Sequence, residues 1–101
     1  MKDSIAERNL SCCVKGSDSR IELTIRIGKP FPVTDGMVNF KVEGSFFGCS
    51  IDVIGIEEKH PDVFGADSMQ AVNIASNIEP FLRRLKNKYD LYWLSGEPYF
   101  E

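Results

Sequence analysis

The sequence predicts an α+β protein: an antiparallel β-meander of four to five strands with one main helix packed on one face, in the order β-β-β-β-α-β. Three observations lead there. RIELTIRIG alternates Ile21, Leu23, Ile25 and Ile27 with Glu22, Thr24 and Arg26, the period of a strand with one face in the core and one in water. Met69, Val72, Ala75, Ile78, Leu82 and Leu85 recur at helical spacing, the mark of one buried helical face. The four strand-like segments that precede the helix are joined by turns, and successive strands with short connections favour antiparallel neighbours. The chain has 101 residues, enough for one domain spanning residues 1–101.

The elements follow in order. Ile5 to Val14 reads as a first strand. One parity holds Ile5, Glu7, Asn9 and Ser11, and the other holds Ala6, Arg8, Leu10 and Cys12. Neither is cleanly apolar, which fits an edge strand or a strand with a bulge. Lys15 to Ser19 is a turn, and Arg20 to Gly28 is the second strand. Pro30 and Pro32 remove two backbone donors, so Lys29 to Gly36 reads as an extended connection ending in a turn at Asp35-Gly36. Val38, Phe40 and Val42 alternate with polar residues as a third strand, followed by a tight turn at Gly44-Ser45. Phe46 to Ile56 reads as a long fourth strand, apolar on both faces from Ile51 onward apart from Asp52, with Gly48 and Gly55 as candidate bulges. Glu57 to Ala66 is a polar loop. Pro80 falls inside the helical pattern and either kinks the helix or opens a second segment. A last short strand lies around Leu91–Leu94, before a turn at Ser95-Gly96.

Asp67 sits just before the helix and Gln70 three residues later, the shape of a capping box. Asp67 would accept from first-turn amides while Gln70 reaches back to the Asp67 backbone. The competing reading makes Ser68 a nucleophile and His60, the single histidine, its base. That reading lacks a Gly-x-Ser-x-Gly elbow, and His60 precedes a proline in a polar loop. The cap is the better account, and no catalytic residue is assigned.

Four pieces of the chain, IAERNL, IELTIRIGKPFP, FGADSMQA and LYWLSGEPYF, together resemble a small bacterial family of single-domain proteins of unknown function. The resemblance implies an α+β fold in a bacterial, cytoplasmic protein and transfers no functional site. The chain departs from it at Pro80 and in the apolar character of Phe46–Ile56.

The remaining signals bound the function. With 43% apolar and 27% charged residues the chain is not of the disordered type. A net charge of −3 argues against a nucleic-acid partner. No apolar run reaches membrane-spanning length, and MKDSIAERNL lacks the apolar core of a secretion signal, so the predicted location is cytoplasmic and no membrane partner is expected. Cys12, Cys13 and Cys49 are too few, and odd in number, for a disulfide framework; they read as small core residues. Glu57, Glu58, Asp62 and Asp67 near His60 lack the spacing of a metal site and read as solvated carboxylates, so no cofactor or metal is assigned. Arg83, Arg84, Lys86 and Lys88 complement the C-terminal end of the helix dipole.

Aromatic residues crowd the tail: Tyr89, Tyr92, Trp93, Tyr99 and Phe100. A sheet covered by helix on one face would leave apolar residues on the other, and such a patch marks an interaction surface. Phe46, Ile54, Ile56, Tyr92 and Trp93 are the candidate interface, with a homodimer through the open face or an edge strand, or an unidentified protein partner, as the expected occupant. The expected function is a non-enzymatic interaction protein of regulatory or immunity-like type. The alternative is a small-molecule-binding module with a pocket between sheet and helix lined by Phe40, Phe47 and Trp93, with Asp52 or Ser50 as its polar group.

Overall fold

The computed structural model describes residues 4–33 and 46–100. Strands β1 (Ser4–Val14), β2 (Ile21–Gly28), β3 (Phe31–Pro32), β4 (Phe47–Cys49), β5 (Ile51–Ile54) and β6 (Val63–Gly65) precede helices α1 (Ser68–Ser76) and α2 (Glu79–Leu85), and β7 (Tyr89–Trp93) follows them. All described strand pairs are antiparallel, and the fold is α+β with its helical layer between β6 and β7 in sequence. The expected third strand at Val38–Val42, with its flanking turns and Phe40, lies outside the described residues.

The strands do not form one meander. They make two sheets, ordered β5-β2-β1-β7 and β3-β4-β6. The cause is a bend shared by two neighbouring stretches of chain. Ile27 faces Ile51 in the first sheet, whereas Phe31 faces Gly48 in the second, so the register slips by one residue between them. At the bend the Gly28 amide donates to the Ser50 carbonyl at 2.9 Å. A Cβ on Gly28 would lie 2.2 Å from the Ser50 hydroxyl, so glycine allows the two backbones to approach there. The expected long fourth strand is therefore two short ones, β4 and β5, divided at the buried Ser50. The loop expected over Glu57–Ala66 also contains a strand, β6, whose Gly65, Phe64 and Val63 face Phe47, Gly48 and Cys49.

The first sheet is two-faced, as the alternation in β2 requires. Leu10, Cys12, Leu23, Ile25, Ile27, Ile51 and Leu91 turn inward and meet Ala71, Ala75, Ile78, Phe81, Leu82 and Leu85 of the helical layer. The opposite face is polar. Glu7, Arg26 and Asp52 stand in one row across three strands, and Asn9, Thr24 and Ile54 in the next. Arg26 donates to Glu7 at 3.4 Å and Thr24 to Asn9 at 3.0 Å.

Asp67 caps α1: its carboxylate accepts from the Gln70 amide at 2.8 Å. The Gln70 side chain accepts from the Ala66 amide at 2.6 Å, one residue earlier than the Asp67 amide that a capping box predicts. Pro80 breaks the helix instead of kinking it. The carbonyl of Ser76, which residue 80 would have bonded, accepts from Ile78, and Pro80 falls in the first turn of α2, where its missing N–H leaves no gap in the ladder.

Candidate functional site

Ser68 and His60, the pair weighed against the cap and set aside, are not joined in the structure. His60 Nδ1 donates to the Pro61 carbonyl at 2.7 Å, and its ring meets Phe81 edge-on with centroids 5.2 Å apart. Ser68 begins α1 and shares no hydrogen bond with it. Among the described residues no group of three or more His, Cys, Asp or Glu side chains is placed to hold a metal ion. No helix among them is long and apolar enough to cross a membrane.

The five interface candidates are not brought together. Ile54 is on β5 and Tyr92 and Trp93 are on β7, the opposite edges of the four-stranded sheet, roughly 14 Å apart at ordinary strand spacing. Tyr92 lies on the polar face beneath the Arg20 guanidinium, 3.6 Å from the ring centroid. Trp93, 41% exposed, packs on Tyr99 with ring centroids 4.6 Å apart. Phe46 neighbours Phe64 beside the second sheet, and Ile56 packs against the core. Phe47 and Trp93 of the expected pocket belong to different sheets, and the space between the first sheet and the helices is filled by Leu10, Leu23, Ile25 and Leu82. The basic cluster is used within the chain. Arg83 and Lys86 approach the Phe100 ring, Arg84 the Phe81 ring, and Lys88 pairs with Glu58 at 3.3 Å.

A different region collects binding features. β1 has eleven residues, but β7 pairs only with Leu10 to Val14. Backbone direction alternates along a strand, so the bonding partners of β7 reveal which groups of β1 point outward. Leu91 and Trp93 bond away from β1, to Tyr99 and Glu97 of the tail. Tyr92 therefore faces β1, opposite Ser11, and the odd-numbered residues of β1 point to that side. Lys15 agrees, bonding Lys88 there at 3.0 Å. Continued back along the strand, the same alternation aims the N–H and C=O of Glu7 and Asn9 outward, where no described strand pairs with them. The tail Glu97–Tyr99 covers the outer edge of β7, so the unpaired edge begins where β7 ends.

Beside this edge lies a cleft of about 140 Å³, lined by Ala6, Glu7, Arg8, Ile25, Ile27, Ser76 and Ile78. Its floor is the inner face of β1 and β2, and its wall is the junction between α1 and α2. Arg8 stands at the end of the cleft. Its Nη1 donates to Glu79 at 3.2 Å and to the Tyr99 hydroxyl at 2.7 Å, and the Tyr99 hydroxyl donates in turn to the same Glu79 oxygen. Burial pushes the Tyr99 hydroxyl above its ordinary value of 10.0, the hydrogen bond to Glu79 adds to this, and Arg8 opposes it. Tyr99 thus stays protonated at neutral pH and serves as a structural donor. The guanidinium also lies 5.7 Å from the Trp93 ring centroid and 6.0 Å from that of Tyr99.

The sequence held one sign of this site. Arg8 shares its parity with Leu10 and Cys12, so a charged residue interrupts the inward face of β1. Its partners, 71 and 91 residues away in sequence, carried no signal. No family model, curated protein or solved structure matches the chain.

Proposed function

We propose that the chain is a non-enzymatic interaction protein that accepts an extended segment of another protein along the outer edge of β1. The observation that carries this reading is the edge of Ser4–Asn9, with which no described strand pairs, running beside a cleft of mixed apolar and polar lining. An added strand takes affinity from backbone hydrogen bonds and specificity from pockets under alternate side chains, and both parts are present here. Glu7 and Asn9 supply outward donors and acceptors, and the cleft beside Ala6 and Arg8, backed by the buried Ile25, Ile27 and Ile78, supplies the pocket. Of the two surfaces expected from sequence, the open sheet face and an edge strand, the edge is favoured because the open face carries the Glu7–Arg26 and Asn9–Thr24 polar pairs.

Glu7→Pro tests the reading. Proline removes an outward donor without breaking the ladder to β2, a position where strands tolerate it. A displayed library of random short peptides selected on the native protein should yield binders that slow hydrogen exchange at the Glu7 and Asn9 amides. Glu7→Pro should lose those binders while keeping a cooperative thermal transition. Equal retention by Glu7→Pro, protection confined to other amides, or no enrichment at all would overturn it.

A further inference from the structure

We infer that the segment received at the β1 edge carries an acidic side chain two residues before an apolar one, and that Arg8 reads the carboxylate. This rests on the edge reading above and adds the chemistry of the occupant.

The inference starts from the donors of Arg8. A guanidinium has five N–H groups in a fixed fork. Both intramolecular bonds of Arg8, to Glu79 and Tyr99, leave from Nη1. Nη2 and Nε have no protein partner among the described residues, and the side chain remains 39% exposed at the rim of the cleft. Two parallel N–H groups on one side of a guanidinium match the two oxygens of a carboxylate. The Glu79 and Tyr99 bonds hold the fork in place, so little side-chain entropy remains to be lost on binding. Glu79 also offsets the charge of Arg8, so selection here comes from the geometry of the fork more than from long-range attraction.

The spacing follows from strand geometry. Every described pairing in this molecule is antiparallel, and an incoming strand in that sense pairs through Glu7 and Asn9. Residues on one face of a strand are two apart. The residue opposite Arg8 shares its face with the residue opposite Ala6, and that second position lies beside Ala6, the small side chain that separates it from Ile27 and Ile78 in the cleft. Running antiparallel to β1, the segment meets Arg8 first and Ala6 two residues later, which reads as acidic, any, apolar. Its carboxy terminus lies toward Ser4, beyond Ala6. Arg8 therefore meets a side chain within the strand and not a chain end.

Acetylated and amidated hexapeptides with Glu-Thr-Val, Gln-Thr-Val or Lys-Thr-Val at their centre test this. The Glu peptide should bind about tenfold more tightly than the Gln peptide and more tightly still than the Lys peptide, as expected for a charge-assisted pair. The Arg8 Nε–H resonance should move downfield with the Glu peptide alone. Arg8→Lys keeps a cation for Glu79 but loses the fork, and should remove most of the preference. Should that variant unfold, the peptide comparison and the Nε–H resonance on the native protein still decide. Equal affinities for the three peptides, with Glu7 and Asn9 protected in each case, would overturn the role of Arg8 and leave the edge reading intact. No protection by any of them would remove both.

Discussion

Asp67 shows how much a single side chain can announce. Its position before a periodic apolar run, with Gln70 three residues on, was legible as a cap, and the carboxylate does accept from the Gln70 amide. The Gln70 bond to Ala66 was not legible, because the choice between neighbouring amides depends on how the chain enters from Gly65. Asp67→Ala should destabilise the fold by about 1 kcal/mol in chemical denaturation, with the slope against denaturant unchanged. The cysteines give a second test at this scale. Burial raises the thiols of Cys12 and Cys49 above their ordinary value of 9.0, with Cys13 adding to the first and Asp62 to the second. A group whose native value is raised supports the fold below its unfolded value and loses that support as pH climbs through the native one. Thermal stability should therefore hold up to about the ordinary thiol range and fall beyond it. Replacing both residues with alanine should flatten this alkaline decline even while lowering stability at neutral pH. An unchanged alkaline decline would assign it to other groups.

Elements were readable where one period ran long enough. β2 has eight residues and one clean face, and its bounds differ from expectation by a single residue. β6 has three residues, too few for any period, and exists because β4 offers it an edge. The division of Phe46–Ile56 was hidden for another reason. Alternation persists through a bend, so a strand that changes sheets keeps the pattern of one that does not. The apolar positions that suggested a covered strand have separate fates: Ile54 stays exposed on the polar face, and Ile56, past the end of β5, packs against the core. Gly55 marks the end of this run. Its φ of +112° is a conformation that side-chain-bearing residues rarely adopt, and a Cβ there would lie 1.9 Å from the Glu22 carbonyl oxygen. Gly55→Ala should cost roughly 3 kcal/mol, from backbone strain and displacement of β5 from β2. Gly16→Ala provides the control, since its φ of +87° is also positive but nothing lies within 4 Å of the added carbon. A smaller loss at Gly55 than at Gly16 would show that contact with β2 is not what constrains the first site.

At the scale of the whole molecule, the two ends of the described chain are held together. β1 pairs with β7, the tail pairs with β7 on its other side, and Tyr99 connects the tail to Arg8 on β1 and Glu79 on α2. This arrangement was not legible in sequence, since aromatic crowding in a tail says nothing about which strand it will cover. It has a consequence for how the structure opens. The tail contributes only a few backbone bonds and half-buried rings, so it belongs to the part of the structure that can open without global unfolding. Tyr99→Phe removes the hydroxyl that accepts from Arg8 and donates to Glu79, while leaving those two charges paired with each other. The loss should be about 1 kcal/mol and should appear locally. Hydrogen exchange at the Tyr99 and Trp93 amides, which bond Leu91 and Glu97, should accelerate severalfold, while the Leu23 and Ile25 amides keep the rate set by global unfolding. If all four accelerated together, the tail would be part of the cooperative core, and the edge it covers would open only when the whole sheet does. If only the tail responds, the outer edge of β7 can be uncovered on its own, and it would offer an extended partner a second edge, one strand spacing beyond the edge of β1 with which no described strand pairs.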